Sequence, residues 1–232
     1  MQEPESNTYK QAQDASLSSR MTLGMSTVLI LGLHWSGAKV ASHLAKANVG
    51  KVILVDHDEK ALLAAQKLVT SCVSEFKSTT DVVCKNITFS AHVAEQLINE
   101  TDIVVDCLRN WQNKLLASDV CMHLRKTLIH AGGSGMRFQL YAMRPGKSAC
   151  LRCALPVAGI DDVPLLPETE TSLETLESMI AAMQALESLK ILSRLGVSQG
   201  NELLKFDGLS GEFEVIRGLD PRRDCPDCRP NR

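Results

Sequence analysis

The chain has 232 residues, of which 44% are hydrophobic and 22% charged, with a formal net charge of −2. That length and balance suit one sizeable soluble domain, and the near-neutral charge argues against nucleic acid or an anionic membrane as a partner. No apolar run approaches the roughly 18 residues of a membrane-spanning helix. Met1–Ser6 lacks the basic and apolar regions of a secretory leader, so a cytoplasmic protein is expected.

Residues 1–25 read as a polar N-terminal segment with a short helical stretch from Tyr9 to Leu17. Thr27-Val28-Leu29-Ile30-Leu31 then forms a β-branched apolar run that meets Gly32 and turns through Leu33, His34, Trp35 and Ser36. At Gly37 the chain becomes an amphipathic helix that runs to about Ala47. This strand–turn–helix is the opening of a nucleotide-binding βαβ unit. The next apolar run, Lys51–Asp56, ends in an acid about twenty residues after the turn, where such folds hold a ribose. The middle glycine of G-x-G-x-x-G is replaced by His34.

Further elements follow in alternation. Lys60–Val69 is rich in helix formers, Asp81–Ile87 reads as a strand, and Ala91–Ile98 as a short helix. Asp102–Cys107 is a buried strand, Asn113–Leu124 a helix and Thr127–Ala131 a fifth strand. The alternation predicts an α/β fold with a Rossmann-like, doubly wound, mostly parallel sheet. After Gly132-Gly133-Ser134-Gly135 the pattern changes, and Arg137–Met143 alternates like a strand. A proline- and acid-rich crossover loop spans Ala158–Thr171. A helix capped near Ser172 runs to about Leu195 and stops at Gly196. Leu203–Asp207 and Glu212–Ile216 flank Gly208–Gly211 as a C-terminal hairpin.

Four of the eight cysteines form two Cys-x-x-Cys pairs, Cys150/Cys153 and Cys225/Cys228. In a cytosolic chain this points to a structural tetrahedral zinc, since four thiolates leave no open position for substrate. Arg152, Arg222 and Arg223 are placed to offset the negative charge of such a site. Cys72, Cys84, Cys107 and Cys121 read as buried free thiols.

The order of parts resembles the ThiF/MoeB/HesA family, bacterial relatives of ubiquitin-activating enzymes. The parts are the glycine turn, Asp56, Asp106-Cys107-x-x-Asn110, His130–Gly135, Cys-x-x-Cys, Phe206-Asp207-Gly208-x-Ser210-Gly211-Glu212-Phe213 and Cys225-Pro226-x-Cys228. The resemblance covers residues 26–229 within a domain of 26–232. Its nucleotide-binding half is about 26–135, and its zinc and hairpin half about 136–229. Family members use MgATP to adenylate the C-terminal carboxylate of a small carrier protein or of a peptide. They are typically dimers with a structural zinc. The resemblance assigns Gly32, Gly37, Asp56 and Lys60 to the nucleotide, Asp106 to the catalytic segment, and Cys150, Cys153, Cys225 and Cys228 to zinc.

The departures fall on the parts that handle ATP. His34 stands where a glycine lets backbone approach phosphate, and Trp35 is expected to fill space that a nucleotide would otherwise use. The family's Asn, Arg and Gln contacts are missing between Asp56 and Lys60, and Arg109 replaces the magnesium-binding aspartate. The crossover loop carries no nucleophilic cysteine. Read without the family, Asp106 is a strand-end cap, Lys60 a solvated lysine at a helix start, and His130 a residue packed or hydrogen-bonded behind the sheet. Together these features imply a member with a degraded ATP site. It would serve as a non-catalytic or partner-dependent subunit that recognises a ubiquitin-like or sulfur-carrier protein or peptide, as a homodimer or beside an active paralogue. The alternative is an active ATP-dependent adenylyltransferase.

Overall fold

In the computed structural model, β1 (Thr27–Leu31) places Val28 and Ile30 in one hydrophobic core and Leu29 and Leu31 in a second core. A strand buried on both faces belongs to a sheet covered by helices on both sides. The structure describes residues 18–33, 36–157, 174–196 and 200–228. The expected helix at Tyr9–Leu17, the turn residues His34 and Trp35, the crossover loop Ala158–Thr171 and the cap at Ser172 lie outside the described residues.

Eight strands form one sheet in the order β3-β2-β1-β4-β5-β6-β7-β8. β1, β2 (Lys51–Asp56), β3 (Asp81–Asn86), β4 (Ile103–Asp106) and β5 (Thr127–Ser134) are parallel. β6 (Arg137–Met143), β7 (Leu203–Asp207) and β8 (Glu212–Ile216) continue the sheet antiparallel. The expected doubly wound, mostly parallel sheet with a C-terminal hairpin is therefore present.

The described part of α1 covers 18–25. One face of the sheet packs against α2 (Gly37–Lys46), α3 (Glu59–Glu75) and α7 (Glu174–Ser193). The other packs against α4 (Ala91–Asn99), α5 (Trp111–His123) and α6 (Leu151–Val157). No helix among the described residues is long and apolar enough to cross a membrane.

Three differences from the sequence reading bear on the site. Helix α3 runs on to Glu75, six residues past the expected end at Val69. Strand β5 runs through Gly132 and Gly133 to Ser134, because pairing with β6 continues along its whole length. The first Cys-x-x-Cys pair opens a helix, α6, although Pro156 lies inside it. Pro156 has no N–H to donate to the helix, which ends one residue later at Val157.

Candidate functional site

The strand order reverses direction between β1 and β4, and crevices for ligands open at such switch points, beyond the carboxyl ends of the strands. A cleft of about 560 Å³ lies there. Gly32, Asp56, His57, Thr88, Arg109, Asn110 and Asn113 give it polar groups, and Leu33, Val55, Ile87, Phe89 and Leu108 give it apolar walls. Its volume falls in the ordinary range for small-molecule sites.

The two glycines of the turn have packing reasons of their own. Gly32 takes φ +85°, and a Cβ there would sit 2.7 Å from the Cys107 carbonyl oxygen. A Cβ on Gly37 would fall 2.0 Å from the carbonyl oxygen of Gly32. The close approach of β1, β4 and α2 thus requires both residues before any nucleotide is considered. Asp56 is buried and holds the same turn. One carboxylate oxygen accepts the Leu33 N–H at 2.7 Å, and the other accepts the Asp58 N–H at 3.0 Å. Asp58 in turn caps α3 through the Lys60 N–H at 2.8 Å. Only His57 and Asp58 separate β2 from α3. Lys60 is exposed at the start of α3 and is not among the residues lining the cleft.

Asp106 lies beneath the cleft, at 0% exposure. Its carboxylate meets the Lys114 ammonium at 3.2 and 3.3 Å, His130 Nδ1 at 2.7 Å and the Leu108 N–H at 3.0 Å. Burial pushes the Asp106 carboxyl up, but Lys114, the hydrogen bond from His130 and the Leu108 amide outweigh it and hold the group below its ordinary value. His130 is also fully buried, and burial together with the charge of Lys114 keeps its pKa below the usual value despite Asp106. Its neutral form fits the pairing, with Nδ1–H donating to Asp106 and Nε2 accepting from Gln139 Nε2 at 3.3 Å. Trp111 stacks on the imidazole, with ring centroids 5.8 Å apart. Lys114 completes the network by donating to the Ala131 carbonyl at 2.7 Å.

A second buried cluster joins the turn to α7. The Gln184 amide N–H group donates to the carbonyls of Asp106 at 3.1 Å and Ile129 at 3.3 Å. Its Oε1 accepts the Ser36 hydroxyl at 3.0 Å. Cys107 Sγ lies 3.2 Å from Ser36 Oγ, and burial pushes this thiol up to about 12, which makes it a poor nucleophile.

The four paired cysteines converge at the other end of the sheet. Cys150 and Cys153 flank the first turn of α6, and Cys225 and Cys228 belong to the C-terminal loop. Their sulfur atoms all lie within 4.8 Å of one another, with Cys150–Cys225 at 3.6 Å and Cys228–Cys153 at 3.9 Å. A tetrahedral ion with zinc–sulfur bonds of roughly 2.3 Å spaces its ligands about 3.8 Å apart. The donor set therefore fits such an ion and could hold it. The Cys150 N–H donates to Cys228 Sγ at 3.1 Å and the Arg222 N–H to Cys153 Sγ at 3.4 Å, interactions that favour thiolates. Burial opposes ionisation of Cys153, but hydrogen bonds from Arg222 bring its pKa below the ordinary thiol value. Arg222 thus takes the expected balancing role. Arg152 instead forms a forked bridge to Asp119, at 2.7 Å for its shortest contact.

The structure thus brings Gly32 and Asp56 to the cleft, sets Gly37 behind the turn, seals Asp106 below it, leaves Lys60 outside it and gathers the four cysteines. Sequence reasoning missed Lys114, Gln139 and Gln184. Their signal was slight: a lysine eight residues after Asp106, and single glutamines within otherwise apolar stretches.

Comparison with known proteins extends this picture. The ThiF family model matches residues 59–227. The adenylyltransferase and sulfurtransferase MOCS3 of Drosophila yakuba is 30% identical over 236 residues, covering 93% of this chain and 51% of the relative. MOCS3 of Bos taurus gives 30% identity over 93% of this chain and 50% of its own length. The chain spans about half the length of these curated relatives. Among solved structures, E. coli MccB with ATP superposes with a TM-score of 0.76 at 17% identity, over 97% of this chain and 74% of that one. PaaA gives a TM-score of 0.70 at 13% identity, over 94% and 84% respectively. These two likenesses concern the fold. With a glycine turn, an acid-ended second strand and paired cysteines in the family's order, and a family model matching most of its length, this chain belongs to the ThiF family.

Proposed function

We propose that this chain is a ThiF/MoeB-type protein with a degraded ATP site. It acts as a non-catalytic or partner-dependent subunit that recognises a ubiquitin-like or sulfur-carrier protein or a peptide. One observation carries the reading: both carboxylate oxygens of Asp106 are committed to Lys114, His130 and the Leu108 amide in a fully buried pocket. A carboxylate with its charge neutralised from within cannot recruit magnesium without breaking that pocket open. The two-residue β2–α3 link, which carries none of the family's phosphate contacts, supports the same conclusion. Cys150, Cys153, Cys225 and Cys228 hold a structural zinc that ties the C-terminal loop to α6. The subunit works as a dimer, with itself or with an active paralogue.

The alternative is an active adenylyltransferase, and the open cleft above Gly32 and Asp56 favours it. So does the similarity to relatives named as adenylyltransferases. ATP–pyrophosphate exchange, measured with a carrier protein ending in Gly-Gly, separates the two. The degraded-site reading expects no exchange by the chain alone and exchange once an active paralogue is added. Magnesium-dependent exchange by the chain alone overturns it.

A further inference from the structure

We infer that a cavity beside the cysteine cluster binds a small dipolar ligand, one carrying a free carboxylate and a free ammonium, as an amino acid or a short peptide does. The inference goes beyond the function proposed above and holds whether or not the chain uses ATP.

The cavity measures about 540 Å³, within the ordinary range for small-molecule sites. Four separate stretches line it: the end of α5, the turn at residues 145–148 after β6, Asn201 before β7, and the C-terminal loop. Of the four paired cysteines only Cys228 borders it, so it is a different space from the one between the sulfurs.

Its permanent charges divide by segment. Arg125, just past α5, and Lys147, in the turn, are positive, whereas Asp220 and Asp227 of the C-terminal loop are negative. Among the described residues no salt bridge joins the two sets. Elsewhere on the surface such groups do pair, as Arg137 does with Asp207 and Arg217 with Glu202. A simple anion would meet the acids and a simple amine the cations, but a ligand with both groups answers both sets.

The carboxylate end has three donors on ordered backbone. Arg125 holds φ +56° at a position after a helix where glycine is the usual residue. Its guanidinium lies over the turn, with one nitrogen 3.7 Å from where a Cβ on Gly146 would sit. The turn itself is closed by the Lys147 N–H donating to the Arg144 carbonyl at 2.9 Å and the Arg144 N–H donating to Ser148 Oγ at 2.7 Å. The third donor is Asn201. Its Oδ1 accepts the Tyr141 hydroxyl at 3.2 Å and the Ala149 N–H at 3.1 Å, which fixes the amide and leaves its two N–H groups to the cavity. Guanidinium, ammonium and amide donors together suit a carboxylate. For the ammonium end, Asp227 senses the charge of Arg152, itself held by Asp119, so Asp220 is the freer acid. Met122, Pro145, Pro221 and Pro226 add apolar surface for an aliphatic side chain.

Calorimetric titration of the full chain with L-leucine, leucylleucine, N-acetyl-leucylleucine and leucylleucine amide tests this. The expected result is binding of leucine or leucylleucine, the tighter of the two showing whether amino acid or peptide fits, with each capped form at least ~10-fold weaker than leucylleucine if the peptide is the ligand. Arg125→Ala with Lys147→Ala should abolish binding. Asp220→Asn should weaken the uncapped ligand ~10-fold or more and leave the N-acetyl form unchanged, a selectivity that unfolding would not produce. All four side chains altered or probed here lie at the surface, and an unchanged thermal midpoint shows that the fold persists. No binding of either uncapped ligand overturns the inference. So does equal binding of the capped forms, or binding that survives loss of both Arg125 and Lys147.

Discussion

The antiparallel and parallel ends of the sheet hold their chemistry by different means. At the antiparallel end, four thiols from two distant segments meet within 4.8 Å, and their residue identity alone fixes what they can do. At the parallel end, the glycine turn and Asp56 are in place, yet what the cleft can bind depends on a link length and on which charges face outward. A metal set is a property of its donors, whereas a nucleotide site is a property of everything around its donors. Family resemblance therefore transfers the first more safely than the second.

Substitutions can break that contrast, beginning with the largest effect. Cys225→Ser should release the metal and lower the thermal midpoint by about 10 °C or more, since structural zinc contributes folding energy directly. Metal analysis and thermal unfolding check this. Retained metal with an unchanged midpoint would contradict the site. Lys114→Met should come next. It leaves Asp106 buried and unpaired at a cost of about 3–5 kcal/mol, or roughly 6–20 °C. Asp106→Asn added to it should recover part of the loss, as removing the orphaned charge requires.

The pH dependence is smaller and has a defined sign. His130 has a folded pKa below its ordinary 6.5, so below that pH the unfolded chain binds a proton that the folded chain refuses. Its stabilising effect is complete above pH 6.5 and declines as pH falls, by at most about 1.4 kcal/mol per unit. Asp106, with a folded pKa below 3.8, adds a further loss as pH falls below that value. Urea unfolding between pH 7 and 4.5 should show the first phase, and His130→Gln should flatten it. Lys60→Ala should do least, within about 0.5 kcal/mol in stability by urea unfolding, because its side chain is exposed outside the cleft.

Much of this molecule could be read from its residues, and the exceptions have physical causes. β1, β2, β6, β7 and β8 coincide with their expected limits because short apolar or alternating runs bounded by glycines and turn residues are local signals in the sequence. The cysteine pairs were legible for the same reason: the spacing of each pair is itself the chemistry. Helix α6 was not legible, since Cys150–Cys153 and Pro156 suggest a loop until tertiary packing buries Leu151, Ala154 and Leu155. The Asp106 network stayed hidden because it joins β4, β5, β6 and α5, and no sequence period connects Asp106, Lys114, His130 and Gln139. His130 was expected to pack or hydrogen-bond behind the sheet, but its partners emerge only from strand order.

Gln184 has a consequence beyond holding α7 in place. One side-chain amide there bonds to the residue before α2, to the end of β4 and to β5, so displacing any of these means giving up several hydrogen bonds at once. Such a joint has no partial settings. A partner that pushes on α7 would either leave the glycine turn untouched or release it completely. Amide hydrogens in the turn and in the middle of α7 should then exchange with solvent at a common rate, as one cooperative unit.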